Sequence, residues 1–366
     1  MPAASRALQP AERMPLAPLS TLGVGGEARW YVSAQTQEEV EAAHRWSHDR
    51  GVPLVVLGGG SNLVVADAGL DGLVLHMRLG GITFERRSGE TFVGAGAGEP
   101  WDGLVAACVA RGLAGVECLS GIPGSVGGTP IQNVGAYGQE VGETIEMVAA
   151  YDRDRAQMRM LSSAECHFAY RSSRFKAGDA GRFIVCGVTF RLRAGPPTVT
   201  YPDVRAQVER NRISMPSVGD VRDAVLAVRR AKGMVVDADD PDTRSVGSFF
   251  TNPLLGEDHR ERIAAAAGEP VPGFTMAGGR VKVPAAWLID RAGFKRGDTD
   301  GAVGISTRHT LAIVNRGGAT SADVLRLAVR IKRRVAELFD VLLQPEPVFA
   351  GFGDNTDLTY LRMDHR

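Results

Sequence analysis

The sequence predicts an α+β protein, in which strands and helices mix without the regular strand–helix alternation of a doubly wound sheet. Short apolar runs such as RFIVCGVTFRLRAG, bounded by polar turns, indicate strands. Stretches such as EEVEAAHRWSHDR have helical propensity instead. With 366 residues, the chain is long enough for about two to three domains.

The elements of the first 140 residues follow in order. Residues 38–50 predict a helix, and VPLVVL predicts a strand that ends in the glycines of LGGGSN. The segments LDGLVLHM and ETFVGAGAGEPW predict short strands. The segment PWDGLVAACVARG predicts a helix that Gly112 closes.

The remaining elements fall on either side of an acidic linker. VGETIEMVAAYDR, QMRMLSSAECHF and RFIVCGVTFRLRAG predict strands, AGPPTVT interrupts them, and GDVRDAVLAVRRAKG predicts a helix ending at Gly233. After DADDPDT, the sequence predicts a helix in PAAWLIDRAGF, a strand in HTLAIVN and a last helix starting near Ser321. The residues expected to face inward from the helix before the linker and from the last helix are Val221, Val225, Val228, Val324, Leu327, Ile331 and Val335.

Composition and charge exclude several classes of protein. Hydrophobic residues make up 44% and charged residues 23%, which argues against a disordered or fibrous chain. Lys plus Arg equals Asp plus Glu, at 42 each, so no net field attracts nucleic acid. No run is long and apolar enough to cross a bilayer, and the first eighteen residues lack the apolar core of a signal peptide. We therefore expect a protein without a membrane segment.

Four cysteines bear on the cellular compartment. They form no CxxC pair, and a chain of this size needs no disulfide staples, so a reduced cytosolic compartment fits best. These cysteines are Cys108, Cys118, Cys166 and Cys186.

Three glycine-rich segments, GVGGEA, LGGGSN and SGIPGSVGGTPIQNVGAYGQE, are candidates for nucleotide binding. None has the GxxxxGK[ST] frame of a P-loop. VGAGAGEP misses the dinucleotide fingerprint, because Glu99 stands where the third glycine is required, and it is interpreted as a turn. Glycine lets the backbone adopt positive φ and bring N–H groups close to a ligand. The alternative is that these glycines only form tight turns. The presence of three glycine clusters, each beside an apolar run, argues against that alternative.

Seven segments in order and spacing carry a resemblance that covers residues 16–352. They are STLGVGGEA, VPLVVLGGGSNLVVAD, SGIPGSVGGTPIQNVGAYGQE, YRSSRFK, VGSFFTNP, PAAWLIDRAGFKRG and LLQPEPVF. Together they resemble the UDP-N-acetylenolpyruvoylglucosamine reductases of peptidoglycan synthesis. The segment around YPDV and the chain ending are similar to the longer of two subclasses, in which a tyrosine loop closes over the substrate.

The resemblance implies a fold, a reaction and a domain plan. It implies a two-part FAD-binding unit of the vanillyl-alcohol oxidase type and a C-terminal α+β substrate-binding domain. FAD, reduced by NADPH, would pass hydride to the enolpyruvyl group of UDP-N-acetylglucosamine enolpyruvate. The implied plan is a loose N-terminal tail, two FAD-binding subdomains, a substrate domain and a C-terminal tail, at residues 1–15, 16–80, 81–233, 234–352 and 353–366.

The resemblance also implies which residues hold FAD, and most are glycines. The loop IQNVGAYG would shape the wall beside the flavin ring. The implied cofactor-binding residues are Thr21, Gly23, Gly25, Gly58, Gly59, Gly60, Ser61, Asn62, Gly124, Ser125, Gly127 and Gly128.

Three residues match the family's catalytic positions. Arg171 would stabilise the enolate that forms when hydride adds to the alkene, because a guanidinium stays charged and binds carboxylate in bidentate fashion. Ser248 would donate the proton that completes the reaction, with Glu346 beside it. Without the resemblance, the arginine is interpreted as a surface ion pair, the serine as a turn or cap, and the glutamate as exposed.

Substrate contacts follow less directly. Lys232 and Asn252 lie where the family contacts the UDP part, and Tyr201 would belong to the closing loop, with a core tyrosine as the alternative. Ala286 and Arg291 depart from the family pattern, which places fine substrate contacts in doubt but not the reaction.

The remaining expectations concern metals, assembly and other functions. His44 and His48 have helical i,i+4 spacing, but no third ligand is evident, so an exposed helix face is favoured and no metal is assigned. A cytoplasmic monomer is expected. The alternatives are a flavin oxidase of the same superfamily acting on a sugar or alcohol, and a catalytically silent UDP-sugar or flavin-binding module.

Overall fold

The computed structural model describes residues 8–276 and 278–364 and combines strands with helices, which confirms the α+β class. The α-helices are α1 Gln37–Asp49, α2 Trp101–Val109, α3 Pro202–Arg210, α4 Val218–Ala231, α5 Glu257–Ala267, α6 Ala285–Arg291, α7 Ser321–Phe339 and α8 Thr356–Arg362. The strands are β1 Ala11–Pro15, β2 Glu27–Ala34, β3 Leu54–Leu57, β4 Leu63–Val65, β5 Leu70–Met77, β6 Ile82–Arg87, β7 Glu90–Gly96, β8 Leu113–Ala114, β9 Gly135–Ala136, β10 Gln139–Glu140, β11 Ile145–Asp152, β12 Gln157–Ser162, β13 Phe183–Ala194, β14 Leu254–Leu255, β15 Phe274–Thr275, β16 Val281–Lys282, β17 Thr299–Asp300, β18 Val303–Ile305, β19 Ile313–Asn315 and β20 Val348–Ala350.

The chain divides into two compact units, each built from separate stretches of sequence. Unit 1 contains the described residues up to Met14, together with Ala28–Gly60 and Asp71–Val235. Unit 2 contains Pro15–Glu27, Ser61–Leu70 and the described residues from Val236 onward. The domain plan implied by the resemblance assigns each domain one continuous stretch of sequence, unlike this division, and it remains a proposal.

Besides the short pair of β9 and β10, unit 1 contains two larger sheets. One sheet has the strand order β1-β2-β5-β3, in which β3 and β5 run parallel. The other has the order β12-β11-β13-β7-β6, with β8 paired to β13, and the pairs described in it are antiparallel. The larger core packs Trp101 and Phe190, which are almost wholly buried, against the second sheet. A second core packs Leu73 and Leu75 of the first sheet with Ile184 of the second. Two larger sheets fit the two-part unit that the resemblance implies.

Unit 2 is organised around one long amphipathic helix. Its described sheets are short, with the orders β14-β16-β15, β17-β18-β19 and the parallel pair β20-β4. Helix α7 begins with a capping box in which Thr320 and Asp323 exchange side-chain and backbone hydrogen bonds. Its predicted inward positions are all buried, which confirms that face; they are Val324, Leu327, Ile331 and Val335.

A lysine on the same helix is also fully buried. Lys332 donates from Nζ to the backbone carbonyl oxygens of Leu361 and Met363, at 2.7 and 2.6 Å. Burial lowers its pKa to about 8, because an ammonium group loses hydration there. The hydrogen bonds tie the end of the described chain to α7.

Capping chemistry confirms two other predicted helices. Helix α1 starts at the capping box of Thr36 and Glu39, and α4 at that of Ser217 and Asp220. On α4, Val221 and Val225 are buried as predicted, whereas Val228 is half-buried and Arg229 is buried. A charged residue that is held by internal hydrogen bonds can occupy a core position that the apolar pattern assigns to valine.

The predicted tails contain regular structure in this chain. Residues 11–15 form β1, because their backbone pairs with the first sheet, and the tail positions before Leu8 lie outside the described residues. Residues 356–362 form α8, which buries Leu358 and Leu361 against the core of unit 2. Both segments are polar enough to resemble loose tails in sequence, and their order depends on tertiary pairing.

The four cysteine thiols are free and buried. Burial raises the pKa of Cys108 and Cys118 to about 12, which suppresses the reactive thiolate. Within residues 8–276 and 278–364, no helix is long and apolar enough to span a membrane.

Candidate functional site

The first glycine cluster of unit 1 leaves strand β3 and packs directly on the second cluster. A Cβ added to Gly59 would lie 2.6 Å from the Cα of Gly124, and one on Gly58 would lie 2.7 Å from Oγ of Ser125. A side chain at Gly59 would displace the neighbouring loop, because the obstacle there is backbone, whereas one at Gly58 would require the Ser125 hydroxyl to rotate away. The structure therefore brings together these two predicted cofactor loops.

The second glycine cluster is held in place by the VGAGAGEP segment. Gly127 donates its N–H to the carbonyl of Ala97, at 2.9 Å, and Val126 donates to the carbonyl of Glu99 at the same distance. A Cβ on Gly127 would lie 2.7 Å from that of Ala97. VGAGAGEP was interpreted as a turn unrelated to a dinucleotide fingerprint, and the structure adds that it supports the candidate cofactor loop.

These loops fit a ligand bound through main-chain atoms, which FAD requires for its pyrophosphate. An added Cβ would be crowded by backbone at Gly59, by the Ser125 hydroxyl at Gly58 and by Ala97 at Gly127. At Gly128, by contrast, an added Cβ would meet no protein atom within 4 Å. Packing among the described residues therefore does not explain why position 128 is a glycine.

A histidine that the sequence analysis did not select lies beneath the first glycine cluster. His76 is 8% exposed, its Nδ1 lies 2.7 Å from the hydroxyl of Tyr31, and its ring donates to the backbone of Gly58. Burial, followed by the nearby charge of Arg78, lowers the pKa of His76 and so favours the neutral ring. The only sequence signal was a polar residue in the apolar run LDGLVLHM.

Arg171 lies at a tight turn of unit 1 and is half-buried. Ala169 and Ser172 exchange two backbone hydrogen bonds across it. The guanidinium lies 5.9 Å from the ring centroid of Tyr170, and Nζ of Lys176 donates to the backbone carbonyl of Arg171 at 3.2 Å. The catalytic role implied for Arg171 remains a prediction.

Lys232 and Tyr201 come together in a second polar cluster of unit 1. The ring centroids of Tyr137 and Tyr201 lie 5.3 Å apart, and Nζ of Lys232 lies 5.7 Å from the Tyr137 ring. Nζ also donates to Asp203, at 2.7 Å. Burial is the largest single influence and lowers the pKa of Lys232, but the hydrogen bond to Asp203 and the charges of Tyr137, Asp203 and Tyr201 together raise the pKa overall, so the ammonium form is favoured.

Arg229 belongs to the same cluster and was missed by the sequence analysis. It is 8% exposed, donates to the carbonyl of Met234 at 2.8 Å and is hydrogen-bonded to Tyr137. Its Nε is buried without a hydrogen-bond partner among the described residues. A buried, unsatisfied guanidinium N–H is costly, which is typical of a site completed by a ligand. Only the RR pair before Lys232 could have drawn attention to it.

In unit 2, the segments that carry Ser248 and Glu346 are hydrogen-bonded to each other. The N–H of Glu346 donates to the carbonyl of Phe249, at 2.9 Å, and Thr251 donates to the carbonyl of Gln344 at the same distance. Both Ser248 and Glu346 are half-buried, so the alternative interpretation of Glu346 as an exposed residue is wrong. These backbone hydrogen bonds between residues 249–251 and 344–346 are called the Ser248–Glu346 ladder below. The ladder brings together the segments of two candidate catalytic residues that lie almost a hundred positions apart.

The unit 2 residues predicted to bind cofactor support this ladder. Thr21 Oγ1 donates to the carbonyl of Ser245, at 2.8 Å, and also approaches the carbonyl of Ser61, at 3.4 Å. Asn62 donates from Nδ2 to the carbonyl of Glu346, at 3.2 Å, and accepts from the N–H of Val348 at 2.9 Å. The side chains of Thr21 and Asn62 therefore have structural roles within unit 2.

In the first segment, packing in unit 2 explains Gly25, whereas Gly23 is explained by a left-handed backbone with a φ of 69°. A Cβ on Gly25 would overlap the side chain of Val65, and Gly25 has a φ of 111°. The carboxamide Nδ2 of Asn315 donates to the carbonyl of Gly23, at 3.3 Å. Their assignment to cofactor binding remains a prediction.

Three further positions of unit 2 have visible partners. Oδ1 of Asn252 accepts from the N–H of Ala285, at 2.9 Å, and so caps α6. Arg291 forms ion pairs with Glu269 and Asp290, while Ala286 packs against the hydrophobic core. The departures from the family pattern at 286 and 291 are thus accommodated locally.

The histidine pair of α1 has no metal-binding geometry in the described chain. His44 lies with Nδ1 3.2 Å from the hydroxyl of Tyr151, so it is not simply an exposed residue, whereas His48 is exposed. Among residues 8–276 and 278–364, no group of three or more His, Cys, Asp or Glu side chains is arranged to hold a metal ion.

Comparison with sequence profiles identifies two matching regions. The profile described as UDP-N-acetylenolpyruvoylglucosamine reductase, C-terminal domain, matches residues 239–350. The profile described as FAD binding domain matches residues 28–154.

Whole-chain relatives agree with these profiles. The UDP-N-acetylenolpyruvoylglucosamine reductase of Thermobifida fusca is 48% identical over 350 residues, covering 93% of this chain and 98% of that protein. The reductase of the same name from Streptomyces coelicolor is 47% identical over 363 residues, covering 95% and 92%. The crystal structure of the corresponding enzyme from Thermus caldophilus superposes with a TM-score of 0.64 at 28% identity, covering 94% of this chain and all of that one.

Proposed function

This chain belongs to the UDP-N-acetylenolpyruvoylglucosamine reductase family, and we propose that it reduces UDP-N-acetylglucosamine enolpyruvate to UDP-N-acetylmuramate for peptidoglycan synthesis. The family resemblance and the two-part FAD-binding fold predicted from the sequence are confirmed. The structural observation that carries the proposal is the ladder that joins the segments of Ser248 and Glu346.

The cofactor is FAD and the reductant is NADPH. When bound, FAD supplies two-electron chemistry, since it accepts hydride from NADPH and delivers hydride to the alkene of the substrate. Main-chain N–H groups of the packed glycine loops would hold its pyrophosphate, other than those of Gly127 and Gly128, which donate to Ala97 and Ser125. Gly128 would face the cofactor through the space beside its Cα. The proposed cofactor-binding residues are Thr21, Gly23, Gly25, Gly58, Gly59, Gly60, Ser61, Asn62, Gly124, Ser125, Gly127 and Gly128.

Arg171 is proposed to stabilise the substrate as charge develops on it. Hydride addition to the terminal alkene carbon pushes electron density into the adjacent carboxylate and forms an enolate. A guanidinium stays charged at any physiological pH and can donate two parallel hydrogen bonds to a carboxylate. The tight turn limits the movement of the Arg171 backbone, which supports a fixed electrostatic role.

Ser248 is proposed to donate the proton that converts the enolate to product. A hydroxyl is a weak acid, but an enolate carbon is basic enough to accept its proton when the two are held together. Glu346 lies on the neighbouring segment of the ladder, where its carboxylate would orient or polarise the donor. After transfer, the serine alkoxide regains a proton from solvent or through Glu346.

The nucleotide part of the substrate is proposed to bind at the cluster of Lys232, Tyr201 and Arg229, with Asn252 as a further contact. Lys232 is favoured in its charged form, which suits a diphosphate. The unsatisfied Nε of Arg229 supports the addition of this residue to the set. The cap formed by Asn252 uses Oδ1, so this residue would contact substrate through its amide nitrogen.

We also propose that the enzyme works as a cytoplasmic monomer. Its substrate and reductant are small soluble anions, so catalysis needs neither a membrane nor a nucleic acid. Balanced charge and free, buried thiols are consistent with that setting.

Anaerobic flavin spectroscopy of the purified protein tests the proposal. NADPH should bleach the flavin absorbance, and UDP-N-acetylglucosamine enolpyruvate should restore it stoichiometrically. Restoration by air with a sugar or alcohol as reductant would indicate the oxidase alternative. Flavin binding without substrate-dependent reoxidation would indicate a silent binding module.

A further inference from the structure

The turn that carries Arg171 has a backbone conformation that requires external support. Ala169 and Ser172 exchange backbone hydrogen bonds of 3.0 Å, which leaves Tyr170 and Arg171 as the two central residues. Arg171 has a φ of 53°, in the left-handed region where a turn normally uses glycine or asparagine. A long side chain is disfavoured there, so the conformation persists only because surrounding groups impose it.

One supporting group is a buried asparagine from the last glycine-rich segment. Asn133 is 3% exposed, and its Nδ2 donates to the carbonyl of Ala169, at 3.1 Å. The same carbonyl accepts from the N–H of Ser172, so both of its acceptor sites are used. The side chain of Asn133 therefore holds the first residue of the Arg171 turn.

The carboxamide of Asn133 is fixed in orientation by its other partners. Oδ1 accepts from the N–H of Gly142, at 2.8 Å, and Nδ2 donates to Oε2 of Glu140, at 2.7 Å. A backbone N–H can only donate and a carboxylate only accepts, so the rotated carboxamide would lose every bond. Asn133 itself has a φ of 46°, a region that asparagine tolerates better than most residues.

A second hydrogen bond joins the same two segments on the other side of the turn. Ser173 is 1% exposed, and its Oγ donates to the carbonyl of Ile131, at 2.6 Å. Ala169 and Ser173 flank the turn, while Ile131 and Asn133 flank Gln132 in the segment IQNVGAYG. The Arg171 turn is therefore attached to that segment at both of its ends.

We infer that Asn133 is a positioning residue for the reduction, because its Nδ2 bond to Ala169, with the Ser173 bond to Ile131, fixes the turn that presents Arg171. This inference rests on the proposed role of Arg171. The segment IQNVGAYG was expected to serve only as a wall beside the flavin, and here it also sets the position of a catalytic side chain. A small displacement of a charge-stabilising group can slow a reaction by about a hundredfold.

The test separates the two half-reactions of the holoenzyme by anaerobic stopped-flow. Asn133→Asp keeps the size of the side chain and the Oδ1 acceptor but removes both Nδ2 bonds. We expect flavin reoxidation by UDP-N-acetylglucosamine enolpyruvate to slow by about ten- to a hundredfold, while flavin reduction by NADPH changes less than threefold. A merely structural role would slow both half-reactions or neither, and either result would overturn the inference.

Two further variants keep the test decisive. Glu140→Gln weakens the other partner of Nδ2 but leaves the bond to Ala169, so reoxidation should slow less than threefold. Ser173→Ala removes the second attachment, together with the hydrogen bond that Oγ accepts from the N–H of Phe175. It should slow reoxidation by about five- to tenfold, and it replaces Asn133→Asp in the test if that variant fails to fold. Unaltered reoxidation in Ser173→Ala would then count against the inference.

Arg171→Ala distinguishes failure of the inference from failure of the proposed function. If Arg171→Ala leaves reoxidation unaltered, the assigned role of Arg171 is wrong. If Arg171→Ala slows reoxidation, adding Asn133→Asp to that variant should slow reoxidation by less than a further threefold, because both changes remove the same stabilisation by Arg171. Full additivity would show that Asn133 acts independently of Arg171.

Discussion

The two glycine loops of unit 1 and the Ser248–Glu346 ladder of unit 2 form candidate sites by opposite means. In unit 1, Gly59 and Gly124 lack side chains, so backbone packs on backbone. In unit 2, Ser248 and Glu346 keep ordinary side chains, and main-chain hydrogen bonds bring their segments together. A site that binds its ligand through main-chain atoms can therefore be recognised in the sequence by its clustered glycines. A site that uses side chains is assembled by hydrogen bonds between segments far apart in the sequence, and the sequence does not reveal these bonds.

The largest expected effect tests whether proton transfer depends on the unit 2 ladder alone. Ser248→Ala should slow product formation by about 10²- to 10⁴-fold, because it removes a positioned proton donor. Flavin reduction by NADPH should stay close to that of the unaltered enzyme. Rapid-quench analysis of UDP-N-acetylmuramate, beside stopped-flow flavin absorbance, measures both rates. Ser248→Cys, which retains a transferable proton, is the matched control and should recover part of the rate.

An equal slowing of both half-reactions in Ser248→Ala would contradict the assignment. The serine would then act on the flavin environment, and the contrast between the two regions would disappear.

The second effect concerns the loops of unit 1. Gly59→Ala should lower the free energy of unfolding by about 1–3 kcal/mol, because its Cβ would lie 2.6 Å from Gly124. Gly128→Ala should change that free energy by less than about 0.5 kcal/mol, since no described protein atom lies near the added methyl group. Urea unfolding of the apoprotein measures both values.

The same pair of variants separates packing from cofactor contact. Gly128→Ala should weaken FAD binding by about tenfold in a fluorescence titration, because the methyl group would replace a close backbone approach. Unchanged affinity in this stable variant would remove Gly128 from the cofactor site.

The third effect tests whether the buried Lys332 side chain also stabilises the end of the described chain in unit 2. The pKa of Lys332 is about 8 in the folded protein, below its ordinary value, so between roughly pH 8 and 10.5 the unfolded chain binds more protons. Stability should therefore rise with pH across this window by about 1–3 kcal/mol in the unaltered protein. Lys332→Met should flatten this rise, as measured by urea midpoints at pH 7.5, 9 and 10. Identical pH profiles would show that Lys332 remains charged in the folded state.

Sequence patterns predicted the elements whose signals are local. Helix α7 has its inward face because apolar residues recur at helical spacing, and α1 and α4 start at capping residues visible in the sequence. Strand β1 was missed, since AERMP has no strand pattern and is ordered by pairing within the sheet. Helix α8 was missed for a similar reason, because two buried leucines anchor an otherwise polar segment.

The candidate site divides in the same way. Gly58, Gly59 and Gly127 were identified from glycine clustering and resemblance, and the structure supplies a steric reason for each. His76, Asn133 and Arg229 were not selected, because each makes at least one hydrogen bond to a residue that lies far along the chain. No periodicity or spacing rule reports such contacts, since they depend on tertiary hydrogen bonding.

The parallel pairing of β4 with β20 has a consequence for biosynthesis. Val64 and Val65 of β4 are wholly buried, yet β20 is close to the end of the chain. At ribosomal speeds of about 5–20 residues per second, β4 waits roughly 15 to 60 s for its partner to be made. Unit 1 has all its residues once Val235 has emerged, so its folding need not wait for β20. During that interval, the nascent chain carries an unpaired apolar strand, and this strand is where a chaperone would be expected to bind.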